Sequence, residues 1–281
     1  MISIVICSRT KNINSSLYEN IKATIGCVYE LVVIDNSENK YSIFEAYNIG
    51  IKKSIGDYCC FIHDDILLLT QDWGVTLEQI FKNDPKVGLI GVAGSKVKTK
   101  IPSAWWDCEE EHIVMNIIQH FPKKTKEHWD KGFINNVLEE VAAVDGVFMV
   151  MRKDERIKFN EDLKGFHNYD LNLALECNRL NYKIVVTNQI LVEHFSIGTI
   201  NKDWVNSSFN FYEHYKNRLP LNIVSNLNLK KQEVLNAKKF INECLTHKEH
   251  KIALLIWLKL VMLNPISKFH FKFWKRITAI K

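Results

Sequence analysis

Three short apolar runs of this chain end in polar residues. Ser3–Cys7 runs into Ser8-Arg9, Leu31–Ile34 into Asp35-Asn36-Ser37, and Tyr58–Ile62 into His63-Asp64-Asp65. Open parallel sheets bind ligands beyond the carboxyl ends of their strands, so three polar exits on one rim would make one site. The third exit is the most informative. Two adjacent carboxylates repel one another unless something cationic shares them, and in an extended chain Asp64 and Asp65 are expected to point to opposite sides. One can then hold a divalent cation while the other takes a hydroxyl or a phosphate-bound water. Carboxylate ligands with open coordination positions favour Mg²⁺ or Mn²⁺ bridging substrate phosphates. The plain alternative is a solvated turn after a strand.

Other residues invite a chemical reading. Asn168-Tyr169-Asp170 opens a predicted helix, with Asn168 as its cap, whose buried stripe is Leu173, Cys177 and Leu180. A carboxylate in the first turn is expected to be held as an anion by the helix dipole. Facing a hydroxyl, it can take the proton as that hydroxyl attacks; simple capping is the alternative. His194 ends the run Ile190–Glu193, where alternation puts Ile190, Val192 and His194 on one face, as for a buried core histidine. Trp105, Trp106 and Asp107 could form a stacking wall for a sugar ring, or the two tryptophans could anchor their segment to the core.

The elements that must position these residues are legible in the first half. Tyr41–Ile55 carries a capping box, Ser42 and Glu45, before a helix burying Ile43, Tyr47 and Ile51. Asp72 can cap a second helix that buries Leu77, Ile80 and Phe81 and stops at Asp84-Pro85. Val87–Val92, Val141–Met151, Lys183–Thr187 and Ile190–Phe195 read as strands. Alternation of strands and helices argues for a parallel α/β sheet. Residues 95–140, rich in Lys, Trp and His, read as an irregular insertion over the sheet edge. From about Pro220 the pattern is helical.

Composition bounds the partners. The 281 residues are 47% hydrophobic and 25% charged, ordinary for a globular protein. The formal charge of +5 belongs to the tail: residues 251–281 hold seven Lys/Arg and no Asp/Glu, which leaves 30 Lys/Arg against 32 Asp/Glu elsewhere, a net of −2. A near-neutral body argues against nucleic acid as partner. Basic groups mixed with Trp257, Phe269, Phe271, Phe273 and Trp274 suit an anionic lipid surface, or a core-docking helix with a solvated basic end. The seven cysteines show no CxxC pair and read as idle thiols in a reducing compartment. The N-terminal run lacks a basic region before its strand, and no apolar run is long enough to span a bilayer. The expectation is a cytoplasmic protein, or one riding on the inner face of the membrane.

At this point the ordered pieces Ser3–Arg9, Val32–Ser37, Ala46–Gly50, Gly56–Asp65, Asp145–Met151, Gly165–Leu180 and Val192–Phe195 resemble the family 2 glycosyltransferases over roughly residues 1–200. FIHDDI and GFHNYDLNLAL look similar to a bacterial branch that assembles surface glycans. The resemblance implies a GT-A α/β fold with a mostly parallel central sheet flanked by helices, in residues 1–220, and a helical basic appendage in 221–281. It implies Ser8, Arg9, Asp35 and Asp64 on the donor nucleotide, and Asp65 with His194 on the metal, Mn²⁺ or Mg²⁺. Asp170 would be the catalytic base, and Trp105, Trp106 and Asp145 would lie on the sugar or acceptor side. His63 replaces the first acid of the family's D-x-D, and Tyr169 stands where an acidic pair is usual. His167 is a weaker alternative near Asp170. The implied reaction is inverting transfer from a nucleotide-diphosphate sugar, a UDP-sugar first, to a glycan or lipid-linked hydroxyl. Two rivals are a sugar nucleotidyltransferase, disfavoured because residues 7–16 contain no glycine, and a non-catalytic module of the same fold.

Overall fold

A computed structural model of the chain describes residues 1–122 and 125–278. Its first half alternates as expected: β1 (Ile2–Ser8), α1 (Ser15–Thr24), β2 (Tyr29–Asp35), α2 (Ile43–Lys53), β3 (Tyr58–Ile62), β4 (Ile66–Leu68), α3 (Trp73–Asn83) and β5 (Val87–Gly91). Then come β6 (Ala93–Ser95), β7 (Val97–Lys98), β8 (Ile113–His120), β9 (Lys126–Lys131), β10 (Leu138–Glu140), β11 (Ala143–Val144) and β12 (Phe148–Arg152). The remainder is α4 (Tyr169–Arg179), β13 (Lys183–Thr187), β14 (Val192–His194), α5 (Lys202–Tyr215), β15 (Leu221–Asn222), α6 (Leu229–Thr246), α7 (His250–Leu263) and α8 (Lys268–Thr278).

The central sheet has the order β10-β13-β5-β12-β3-β1-β2. Its pairings make β1, β2, β3, β5 and β13 run one way and only β12 and β10 the other. Its strands are apolar on both faces because both faces are covered. Parity sorts the side chains: Val5, Phe61 and Met149 meet α2 and α4, while Ile4, Ile6, Cys60 and Val150 meet α1 and α3. Gly50 lets α2 approach β1, since a Cβ there would stand 2.2 Å from Val5 Cγ1.

Two local expectations are corrected. Residues 95–140 are not an irregular insertion: β6 and β8 belong to a second sheet, β11-β6-β8-β14-β4, with β9 paired to β8. Only β8 carries an apolar run; β6 is three residues long, and β9 is largely exposed with no apolar alternation. Nor do Asp72 and Asn168 cap their helices with side chains. Both have left-handed backbones, φ 55° and 63°, so the side chain does not follow the extended path from which a cap accepts a first-turn N–H. Asn168 donates instead to Ser207 Oγ at 3.0 Å.

A third apolar cluster joins Ile101 and Ala104, Trp204, Val205 and Tyr212 of α5, and the inner faces of α6, α7 and α8. The opposite side of α5, Phe211 and Tyr215, packs into the central core.

Candidate active site

The second sheet explains how distant residues converge. β3 lies in the central sheet and β4 in the second, so His63-Asp64-Asp65 is the short crossing between them. β14 pairs with β4 in a register that sets His194 opposite Ile66, and Phe195 N–H donates to the Asp65 carbonyl at 3.1 Å. His194 is thereby held beside Asp65. His63 Nδ1, His194 Nε2 and Asp65 Oδ1 form a triangle with sides of 3.5, 3.6 and 3.9 Å. The point equidistant from three such atoms lies about 2.1 Å from each, a normal bond length for Mg²⁺ to oxygen or a first-row metal to imidazole.

The partners of the outer ring nitrogens bear on which lone pairs can face that point. Gln119, beside His194 in β8, donates its amide N–H to the Ser196 carbonyl at 2.7 Å and the His120 carbonyl at 2.9 Å. Its Oε1 must therefore accept from His194 Nδ1–H, 3.0 Å away, which leaves His194 Nε2 as a bare acceptor. His63 Nε2 lies 2.6 Å from the Tyr169 hydroxyl, and donation there leaves Nδ1 bare as well. Two acceptors would then face one another at 3.5 Å beside a carboxylate, which disfavours itself unless a cation sits among them. Burial lowers the His63 pKa, aided by His194, so the ring is neutral and able to ligate at pH 7. The donor set suits a divalent cation that accepts both imidazole and carboxylate.

His63, which sequence reasoning treated as a departure, lies within this cluster. The bend of the crossing brings His63 Nδ1 to 3.9 Å from Asp65 Oδ1. Tyr169, read as a missing acid, is the hydroxyl that fixes the His63 ring. Gly146 makes room for it: a Cβ there would stand 2.2 Å from the Tyr169 hydroxyl oxygen.

Asp170 lies half-buried in the first turn of α4, its Oδ1 accepting from Leu171 N–H at 2.8 Å. The helix dipole does not keep it ionised, contrary to the sequence expectation. Burial, with the negative charge of Asp145 adding to it, pushes its pKa up to about 7. Asp145 sits between β11 and β12, accepting from Val147 N–H and from Trp105 Nε1–H, both at 2.7 Å. Trp105 is buried, so it is an anchor that orients Asp145, whereas Trp106 stands edge-on to it and 40% exposed. His167 is not among the clustered ligands; its carbonyl accepts from Ser207 Oγ at 3.2 Å.

On the other side of the crossing is a cavity of about 550 Å³ lined by Arg9, Thr10, Asn14, Asp64, Asp65 and Phe195, among others. Asp64 and Asp65 do not point to opposite sides. The crossing is bent rather than extended, and the Arg9 guanidinium meets Asp64 Oδ1 and, at 3.3 Å, Asp65 Oδ2. Ser8 is buried and in register with Asp35 on β2; Asp35 is exposed and accepts from the Ser37 hydroxyl at 2.7 Å. The cysteines are all free, and burial pushes Cys7, near the rim, up to about 11, so it is not a ready thiolate.

A family model described as "Glycosyltransferase like family" matches residues 3–219. The chain belongs to that family. Of curated proteins, it is 26% identical over 155 residues to "ATP synthase subunits region ORF 6" of Fuscovulum blasticum, covering 54% of this chain and 57% of that one; the chain thus spans little more than half the length of that relative. Among solved structures it is similar to GalNAc-T7 with UDP, GalNAc and Mn²⁺ (TM-score 0.48, 12% identity, 86% of this chain and 56% of that chain). It is also similar to S. aureus TarS 1-349 in complex with UDP-GlcNAc (TM-score 0.47, 12% identity, 87% and 72%). The chain has a mixed α/β architecture, with acidic and histidine side chains gathered where the two larger sheets meet.

Proposed function

We propose that the chain transfers a sugar from a nucleotide-diphosphate donor, a UDP-sugar first, to a hydroxyl of a glycan or lipid-linked acceptor in surface-polysaccharide assembly, with inversion at the anomeric carbon. The reading rests on one observation: the His63, Asp65 and His194 ligand atoms surround a point at bonding distance from all three, and Tyr169 joins that cluster to the helix that carries Asp170. His63, Asp65 and His194 would hold Mn²⁺ or Mg²⁺, which when bound neutralises charge on the departing diphosphate. Arg9 and Asp64 line the cavity, and with Ser8 and Asp35 on the neighbouring strand ends they would meet the base and ribose; Arg9 must exchange its carboxylate partners for donor groups as the nucleotide enters.

Asp170 takes the proton of the acceptor hydroxyl as its oxygen attacks the anomeric carbon and the bond to the diphosphate oxygen breaks. A base with a pKa of about 7 is matched to proton transfer near neutral pH. Asp145, steered by Trp105, faces the same space and would order the acceptor, with Trp106 as an exposed apolar face for a sugar ring. Residues 1–220 would carry this chemistry and 221–281 a supporting helical layer.

The test is a panel of UDP- and GDP-sugars with oligosaccharide or lipid-linked acceptors, with and without Mn²⁺, read by product mass and by the anomeric coupling constant in proton NMR. An inverted product that disappears in Asp65→Asn supports the proposal. Retention of configuration, or wild-type turnover in Asp170→Asn, overturns the mechanism.

A further inference from the structure

We infer that the outer face of the α7–α8 hairpin is a docking surface for an anionic lipid bilayer. Every residue of α7 except His250, Lys251 and Lys259 is apolar. Ile252, Ala253, Ile256 and Leu260 face the third core cluster, but Leu254, Leu258 and Met262, spaced by four, form an exposed stripe on the other side. A helix apolar all round is normally covered all round. Met262 is 78% exposed, Ile266 in the following turn 93%, and Phe271 on α8 78%. Trp274 continues the patch, packing edge-on against Trp257 of α7 at 5.1 Å. Exposed apolar residues in this number on one hairpin mark an interaction surface.

Charge identifies the occupant. Lys251, Lys259, Lys268, Lys272, Lys275 and Arg276 border the patch, and no acidic residue occurs anywhere in 251–281. On α8 the helical period collects Lys268, Lys272, Lys275 and Arg276 in one arc, with Phe271 beside Lys275 and Lys268. A second copy docked across a two-fold axis would bring two wholly cationic rims together, which is repulsive. A bilayer rich in anionic headgroups supplies the opposite charge and an apolar interior a few ångströms below it. No helix among the described residues is long and apolar enough to cross a membrane, and α7 has 14 residues, so the hairpin would lie on the surface. Lys281 lies outside the described residues.

This inference does not depend on the transfer reaction. It is tested with the full chain and vesicles of phosphatidylcholine alone or with about a third phosphatidylglycerol, by co-sedimentation without any sugar donor. The expected result is at least tenfold stronger partitioning to the anionic vesicles, largely reversed by 0.5 M NaCl as screening predicts. Lys268→Glu/Lys272→Glu/Lys275→Glu and, separately, Met262→Ser/Phe271→Ser should each lose most of that binding. These positions are exposed, so the melting temperature should not move; if a variant nevertheless misfolds, the salt and lipid dependence of the wild-type chain decides. Equal binding to both vesicle types, or to neither, overturns the inference. So does a dimer in sedimentation velocity that Met262→Ser/Phe271→Ser converts to monomer, because the occupant would then be a second copy.

Discussion

Replacing Asp170 by Asn separates the carboxylate's chemistry from its cost to the fold. The native carboxyl titrates at about 7 instead of an ordinary 3.8, because burial and Asp145 disfavour its charge. At about 1.4 kcal/mol for each tenfold change in proton affinity, ionising it in the folded chain is about 4 kcal/mol harder than in the unfolded chain. The sign follows from the raised folded value. The stability this carboxyl contributes in its protonated form is fully present below pH 4 and lost as pH rises through 7. Asn keeps an oxygen for the Leu171 N–H and carries no charge, so it lacks this dependence. The two proteins should converge below pH 4, and Asn should lead by about 1 kcal/mol at pH 4.5, about 2 near pH 5.5 and up to about 4 above pH 7. Relaxation and water entry will reduce the top of that range. Urea unfolding of both proteins from pH 4.5 to 8.5 measures the gap, since every other titrating group is shared. Transfer by the same samples should fall at least a hundredfold at every pH. A gap that does not widen with pH would refute the account of the buried carboxylate. Full activity in the Asn variant would remove Asp170 from the chemistry.

Three further outcomes are expected. His63→Ala, Asp65→Asn and His194→Ala should each abolish the rise in melting temperature produced by Mn²⁺ in the native chain, while Tyr169→Phe and Gln119→Leu weaken metal affinity some 10- to 100-fold, read by calorimetric titration. Gly146→Ala puts a methyl group 2.2 Å from the Tyr169 hydroxyl; displacement of that ring should lower thermal stability by several degrees and metal affinity with it, and an unchanged affinity would show that Tyr169 does not orient His63. Asp145→Asn removes the charge that adds to the raised pKa of Asp170, so the acidic limb of the pH–rate profile should move to lower pH; a shift upward would reverse the assigned coupling.

The parts of this molecule legible in its sequence are those fixed locally. β1, β2 and β3 announce themselves as apolar runs, α2 by its capping box, Asp65 and His194 by their positions at the ends of such runs, and Asp170 by its place in the first turn of a helix. What escaped depends on pairing between distant strands. β4 is three residues long and β9 almost wholly polar, so no periodicity reveals the second sheet, and without it nothing shows that His194 lies opposite Ile66. The extended-chain reasoning that separated Asp64 from Asp65 failed for the same reason: the chain changes sheets there and bends. The dipole argument for Asp170 weighed one helix end and omitted Asp145, which lies 25 positions earlier in the chain and arrives only by folding.

Glu233 on α6 gives one oxygen to the N–H of Lys100, at 2.6 Å, and the other to that of Ile101, at 2.9 Å. From the same helix Asn236 and Gln232 hold the Asp107 carbonyl, at 2.9 and 3.1 Å. The segment so gripped includes Trp105, whose indole steers Asp145. Cutting the chain near residue 220 would therefore leave a body whose two larger sheets are whole but whose β7 has lost its partner β15 and whose 99–107 segment has lost its moorings. Such a fragment should still take up metal, yet handle its acceptor poorly: the last helices work as a brace for a wall of the cleft they never enter.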